Sequence, residues 1–167
     1  MLLPLDIVVA VKLATLKDEP TYAQLAHSLG ISASQAHTAV GRCVESQLVH
    51  ADSKRVIKAS LMEFLEHGVR YMMPGKLGPE ARGVATSFSA APLNKEIDAQ
   101  EIIVWPHPEG ELRGASLEPI YKIVPDVARN DPQFHAMMAM IDAIRMGRAR
   151  ERGLAKNLLM AVLYDSR

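Results

Sequence analysis

Disulfides have no part in this fold, because Cys43 is the only cysteine among the 167 residues. A lone thiol suits a reducing cytoplasm and leaves the structure to be held by packing. Aromatics are scarce at 5%, with a single tryptophan. A surplus of charge is missing too: 19 Lys and Arg balance 19 Asp and Glu. That argues against a protein that coats nucleic acid through bulk positive charge, but it leaves room for a local patch. The apolar N-terminal stretch MLLPLDIVVAVKLATLKDE lacks a basic leader and carries Asp6 and Lys12, so neither a signal peptide nor a membrane span is expected. Signatures of catalysis are also lacking. There is no Gly-rich phosphate loop, no Gly-x-Ser-x-Gly elbow and no paired-carboxylate motif. The histidines (His27, His37, His50, His67, His107 and His135) form no close pair at metal-ligand spacing. No enzymatic activity, cofactor or metal is expected.

What is present is enough apolar material for a packed core: 49% of residues are hydrophobic and 23% charged, which excludes global disorder. The chain is organised around residues 22–49. Thr21 to Gln24 forms a capping box, and Ser32 to Gln35 forms a second. Gly30 lies between them, where a left-handed residue ends a helix at low cost. The spacing predicts two short helices joined by a tight turn. In the second, Ala36, Ala39, Val40, Cys43 and Val44 make one buried stripe, and in the first Leu25, Ala26 and Leu29 face inward. The opposite side of the second helix carries Ser34, Gln35, His37, Thr38, Gly41, Arg42 and Glu45. Short hydrogen-bonding side chains of this kind suit base edges and phosphates in a major groove.

The run Leu25-Ala26-His27-Ser28-Leu29-Gly30-Ile31-Ser32, followed by residues 33–49, resembles the helix-turn-helix of bacterial MarR-like winged-helix transcriptional regulators. The likeness covers roughly residues 5–70, and Gln47 of Gln47-Leu48-Val49 stands where that superfamily usually has Gly. The resemblance implies a mainly α fold. Residues 1–73 would form a winged helix-turn-helix domain, and residues 74–167 an irregular Pro/Gly-rich middle with short strands and a C-terminal helical pair. Residues 48–58 would be a short β-hairpin wing, or alternatively an ordinary basic turn. It implies a dimeric repressor in which Ser34, Gln35, His37 and Thr38 read bases while Ser32, Arg42, Lys54 and Arg55 hold phosphates. Residues 104–121, with Val104-Trp105-Pro106, Pro108, Gly110, Arg113-Gly114, Pro119 and Tyr121, are similar to a stretch in regulators encoded beside toxin or phage-defence genes.

Elsewhere the pattern predicts a first helix over 5–16, apolar nearly all round and offered to a second subunit in the resembled fold. A third capping box, Ser60 to Glu63, predicts a helix over 60–72 with Leu61, Phe64, Leu65, Val69 and Met72 buried. Prolines and glycines crowd residues 74–114, so only short strands are expected there, over 84–88 and 102–105, with Trp105 as an anchor. A short helical stretch within 116–129 is broken by Pro119 and Pro125. Asp131-Pro132 opens a helix over 132–146 with a face of Phe134, Met137, Met138, Ile141 and Ile144. A last helix spans 148–164, with Leu154, Leu158, Leu159 and Val162 inward. Arg145, Arg148, Arg150 and Arg152 gather at the junction, either as a solvated face or as a grip on DNA backbone or an acidic partner. Met137, Met138, Met140 and Met146 fill core by default and would otherwise form an adaptable interface.

Two functions of different class follow. One is a sequence-specific DNA-binding repressor, a homodimer whose recognition helices lie about one helical turn apart, ~34 Å. The other is a protein-interaction module, such as an antitoxin or adaptor, that binds a partner protein through its C-terminal half. No membrane partner is expected.

Overall fold

The computed structural model describes residues 1–165. Among them the architecture is α/β: eight α-helices and one small mixed sheet of three strands. The mainly α winged-helix expectation is therefore corrected. The supposed wing is a tight turn with one isolated bridge, Val49 to Val56, and no paired strands. Only two apolar residues flank the turn on each side, Leu48-Val49 and Val56-Ile57, and α4 begins directly after it at Lys58, which leaves too little length for paired strands.

Two helices form the centre. α1 (Pro4–Thr15) is buried from Leu5 to Ala14 without interruption, as a helix apolar on every side must be. α7 (Pro132–Met146) buries most of its residues from Phe134 to Arg145, including Met137, Met138 and Met140, which fill core. α3 (Ala33–Glu45) packs on α1, α2 (Tyr22–Leu29) on α3, and α8 (Ala149–Asp165) on α7. Because α1 is enclosed within its own chain, it is closed off as a dimer contact. The same apolar cluster includes α1, α3, α7 and Trp105.

The charged groups inside this core are paired. Lys12 of α1 donates to Asp131 Oδ2 at 2.6 Å, while Asp131 Oδ1 caps α7 by accepting from Phe134 N–H at 3.0 Å. One side chain thus starts α7 and ties it to α1. Asp142, fully buried, takes Thr86 Oγ1 at 2.6 Å and Trp105 Nε1 at 2.7 Å on Oδ2, and Arg145 Nη1 at 2.6 Å on Oδ1. Burial pushes the Asp142 carboxyl up, against the opposing pull of Arg145, Thr86 and Trp105. Arg145, expected at the surface, is buried and also donates to the Met73 carbonyl at 2.7 Å. It therefore leaves the arginine cluster, in which Arg148 and Arg150 remain exposed.

The middle of the chain is more regular than its composition implies. β1 (Leu77–Ala85) runs antiparallel to both β2 (Ile103–Pro106) and β3 (Leu112–Leu117), and β2 and β3 run parallel, so three strands close on one another. Closure this tight needs missing side chains. A Cβ at Gly83 would strike the Trp105 carbonyl, and one at Gly114 the Ile102 carbonyl. The glycines that read as breakers are thus what lets the strands meet.

Other boundaries also shift. α4 (Lys58–His67) starts ahead of Ser60, with Ile57 as an N-cap lacking a side-chain bond, so the third capping box is not used. Gly68 separates α4 from α5 (Val69–Met72), where Met72 is exposed rather than buried. The 116–129 stretch divides into the end of β3 and α6 (Val124–Asn130). On α8 the fully buried positions are Ala155, Leu159 and Leu163, with Leu154, Leu158 and Val162 packed beside them. No helix among the described residues is long and apolar enough to cross a membrane.

Replacing Asp142 by Asn should leave the buried Arg145 guanidinium without its counter-charge, at a cost of about 3–5 kcal/mol. Urea unfolding followed by circular dichroism measures this; a loss below about 1 kcal/mol would show that the pair carries little of the fold.

Candidate functional site

The pair α2–α3 is built from its ends. Thr21 Oγ1 accepts from Gln24 N–H at 3.1 Å, and Gln24 Oε1 accepts from Thr21 N–H at 2.9 Å. Ser32 and Gln35 repeat the exchange at 3.1 and 3.0 Å, fixing where α3 begins. Gly30 adopts φ +65° and its N–H reaches the carbonyls of Ala26 and His27, so the chain turns sharply between the helices. At the far end of α3, Gln47 takes φ +59°. Its N–H bonds the Val44 carbonyl at 3.0 Å and Leu48 N–H bonds the Cys43 carbonyl at 2.9 Å, a Schellman closure that favours Gly at this position.

The inner stripe of α3, Ala36, Ala39, Val40 and Cys43, is sealed in the core. The Cys43 thiol donates to the Asp6 carbonyl at 3.3 Å. Burial first, and the Asp6 charge second, push that thiol up to about 12, so it stays protonated at neutral pH and behaves as a small hydrophobe.

The outer side of α3 is open. Ser34, Gln35, His37, Thr38 and Gly41 are exposed, and Ser32 is exposed at the cap. No segment among the described residues covers this row. Gln35 has its oxygen committed to the Ser32 N–H, which leaves its amide N–H groups for an outside acceptor. The His37 ring lies against Tyr22, centroids 4.8 Å apart, which limits its orientations.

The cations are placed differently from the sequence reading. Arg42 Nε and Nη2 each donate at 2.8 Å to Asp6, one to each carboxylate oxygen, and Asp6 also accepts from Leu3 N–H at 2.7 Å. The Asp6 hydrogen bond raises the Arg42 pKa further. Arg42 is therefore a clamp between α3 and α1, because a buried carboxylate outcompetes solvent for a bidentate guanidinium. Lys54 pairs with Glu19 at 2.8 Å and stands over the Tyr22 ring at 4.9 Å, so it pins the turn to the start of α2. Arg55 is exposed and lies away from the row, beside the end of α1. Sequence reasoning missed Asp6, Glu19 and Tyr22. A lone acid inside an all-apolar helix was a signal for Asp6; nothing in the sequence marks Glu19 or Tyr22.

What remains is a row of hydroxyl, amide and imidazole groups, with the exposed carboxylate of Glu45 towards its C-terminal end, on a rigidly held helix. It has the donors and acceptors for reading an edge of another molecule, and among the described residues it has no nucleophile–base pair and no cluster of three metal-binding groups.

Arg42→Ala should destabilise the chain by about 2–4 kcal/mol, because it strands the buried Asp6 charge. Gln47→Gly should be neutral to stabilising, by up to ~1 kcal/mol, since Gly relieves the left-handed strain and loses part of the gain to unfolded-state entropy. Chemical denaturation of both variants checks the two signs; an unchanged midpoint for Arg42→Ala would remove the clamp. In comparisons with known proteins, no protein-family model, curated protein or solved structure matches this chain.

Proposed function

We propose that this chain is a sequence-specific DNA-binding regulator, a cytoplasmic repressor that acts as a dimer by inserting α3 into the major groove. The observation that carries the reading is the bare polar row Ser34, Gln35, His37 and Thr38 on a helix whose other side is locked into the core. Base readout needs rigid presentation of short polar side chains, and two capping boxes with the Arg42–Asp6 clamp supply the rigidity. Ser32 and Arg55 are left to contact phosphate, while Arg42 and Lys54 act indirectly by holding α3 and the neighbouring turn. A single helix reads few base pairs, which is why the proposal includes a second copy. With α1 enclosed, the C-terminal helices are the surface left for pairing, and Met160 and Tyr164 are exposed on α8. The reading assigns no reaction to the chain.

One observation favours a module that binds a partner protein, at α5 rather than through the C-terminal half. Tyr71 and Met72 on α5 are 76% and 51% exposed, beside Arg70. Large side chains exposed beside a cation suit an acidic, partly apolar partner.

A mobility-shift assay with the DNA upstream of the chain's own gene separates the two. The parent protein should form a specific complex, and His37→Ala and Thr38→Ala should each weaken it by ~1–3 kcal/mol where a base contact is lost. These variants are preferable to Arg42→Ala, which disturbs the fold itself. A parent protein with no specific shift, or a monomer by light scattering at micromolar concentration together with no shift, ends the regulator reading and leaves the partner-binding one.

A further inference from the structure

The two ends of the Gln35 amide are not equivalent. Oε1 accepts from Ser32 N–H at 3.0 Å, and Ser32 Oγ accepts from Gln35 N–H at 3.1 Å. Turning the amide over would set its NH2 group against the Ser32 N–H, donor against donor, so the reciprocal cap fixes which end faces away from the chain. The side chain is exposed, and its NH2 group has no hydrogen-bond partner among the described residues. The other members of the row carry no such bias. The hydroxyls of Ser34 and Thr38 rotate to donate or to accept, and a neutral imidazole such as that of His37 offers one of each.

In a major groove this bias decides which base can be met. A glutamine with both ends free takes adenine bidentately, its oxygen accepting from N6–H and its nitrogen donating to N7. Gln35 is barred from that pairing, because its oxygen is committed within the chain. Two N–H groups on one nitrogen instead match two adjacent acceptors, guanine N7 and O6, the pair that lysine also reads. Adenine would keep one bond at N7 and turn its own N6–H groups against the amide, and cytosine presents only a donor. We infer that Gln35 is a specificity-determining residue that reads guanine, and that the cap of α3 is what denies it adenine. The inference rests on the proposed DNA-binding role of α3 and deepens it by naming the base that this position requires.

Selection of duplexes from a randomised pool tests it, with the parent chain, Gln35→Glu and Gln35→Met compared. Glutamate keeps one oxygen for the Ser32 N–H, as the cap requires, and turns an acceptor outward in place of the NH2 group. The parent should select guanine at one position of its site, about tenfold over adenine. Gln35→Glu should replace that guanine by cytosine, whose N4–H groups a carboxylate accepts. Gln35→Met, which adds no charge, should leave the same position without preference while the rest of the selected sequence persists. The inference is overturned if the position that these variants alter holds any base other than guanine in the parent's site, or if neither variant alters a position. It also falls if both variants, still helical by circular dichroism, select nothing, since Gln35 would then do more than read one base. A parent chain that selects no sequence overturns the DNA-binding reading and this inference together, so the two failures are told apart.

Discussion

A carboxylate inside a helix that is apolar on every side must be paired completely, and two such carboxylates organise this protein. Asp6 sits in α1 and Asp142 in α7, the two helices at the centre, and both are fully buried. Neither could remain charged there without donors, because desolvation would cost more than the surrounding packing returns. Asp6 draws Arg42 from α3 and the N–H that begins α1. Asp142 draws Thr86 from just after β1, Trp105 from β2 and Arg145 from its own helix. The orientations of α3 and of the sheet follow from these two demands.

The candidate site depends on the first of them. A recognition surface is only as accurate as the element that carries it, and α3 is anchored at its start by a capping box, along its inner stripe by small residues, and near its end by a bidentate ion pair. The arginine that the sequence offered to DNA phosphate serves instead as that anchor. The outer row consequently carries no unpaired cation and has the exposed Glu45 carboxylate towards its end, so under the proposed function affinity from charge would have to come from elsewhere on the surface and the row would supply discrimination. One guanidinium cannot satisfy both a buried carboxylate and an outside phosphate, so Arg42 serves the first.

The sheet shows how composition misleads. The prolines and glycines of residues 74–114 predict an irregular segment with only short strands, since each residue type is individually a poor strand former. Two of the glycines are where neighbouring backbones touch, at Gly83 and Gly114, and the structure is a closed set of three strands. Propensity describes one residue at a time, and strand closure depends on what the other strand brings to the same point.

The sequence by itself determined the local punctuation: the caps at Thr21, Ser32 and Asp131, the turn at Gly30, the inward stripe of α3, and the burial of α1 on more than one side. These are contacts within a few residues, so spacing alone encodes them. It also placed a strand near Trp105, while the helix read over 60–72 is divided at Gly68. Only the tertiary structure decided which cations are free. Arg42, Lys54 and Arg145 look alike in sequence to Arg55, Arg148 and Arg150, and they differ because Asp6, Glu19 and Asp142 lie within reach of the first three. Asp6 and Glu19 are separated from their partners by more than thirty residues, a distance no periodicity spans, and even the near pair Asp142–Arg145 is hidden until the sheet closes over it.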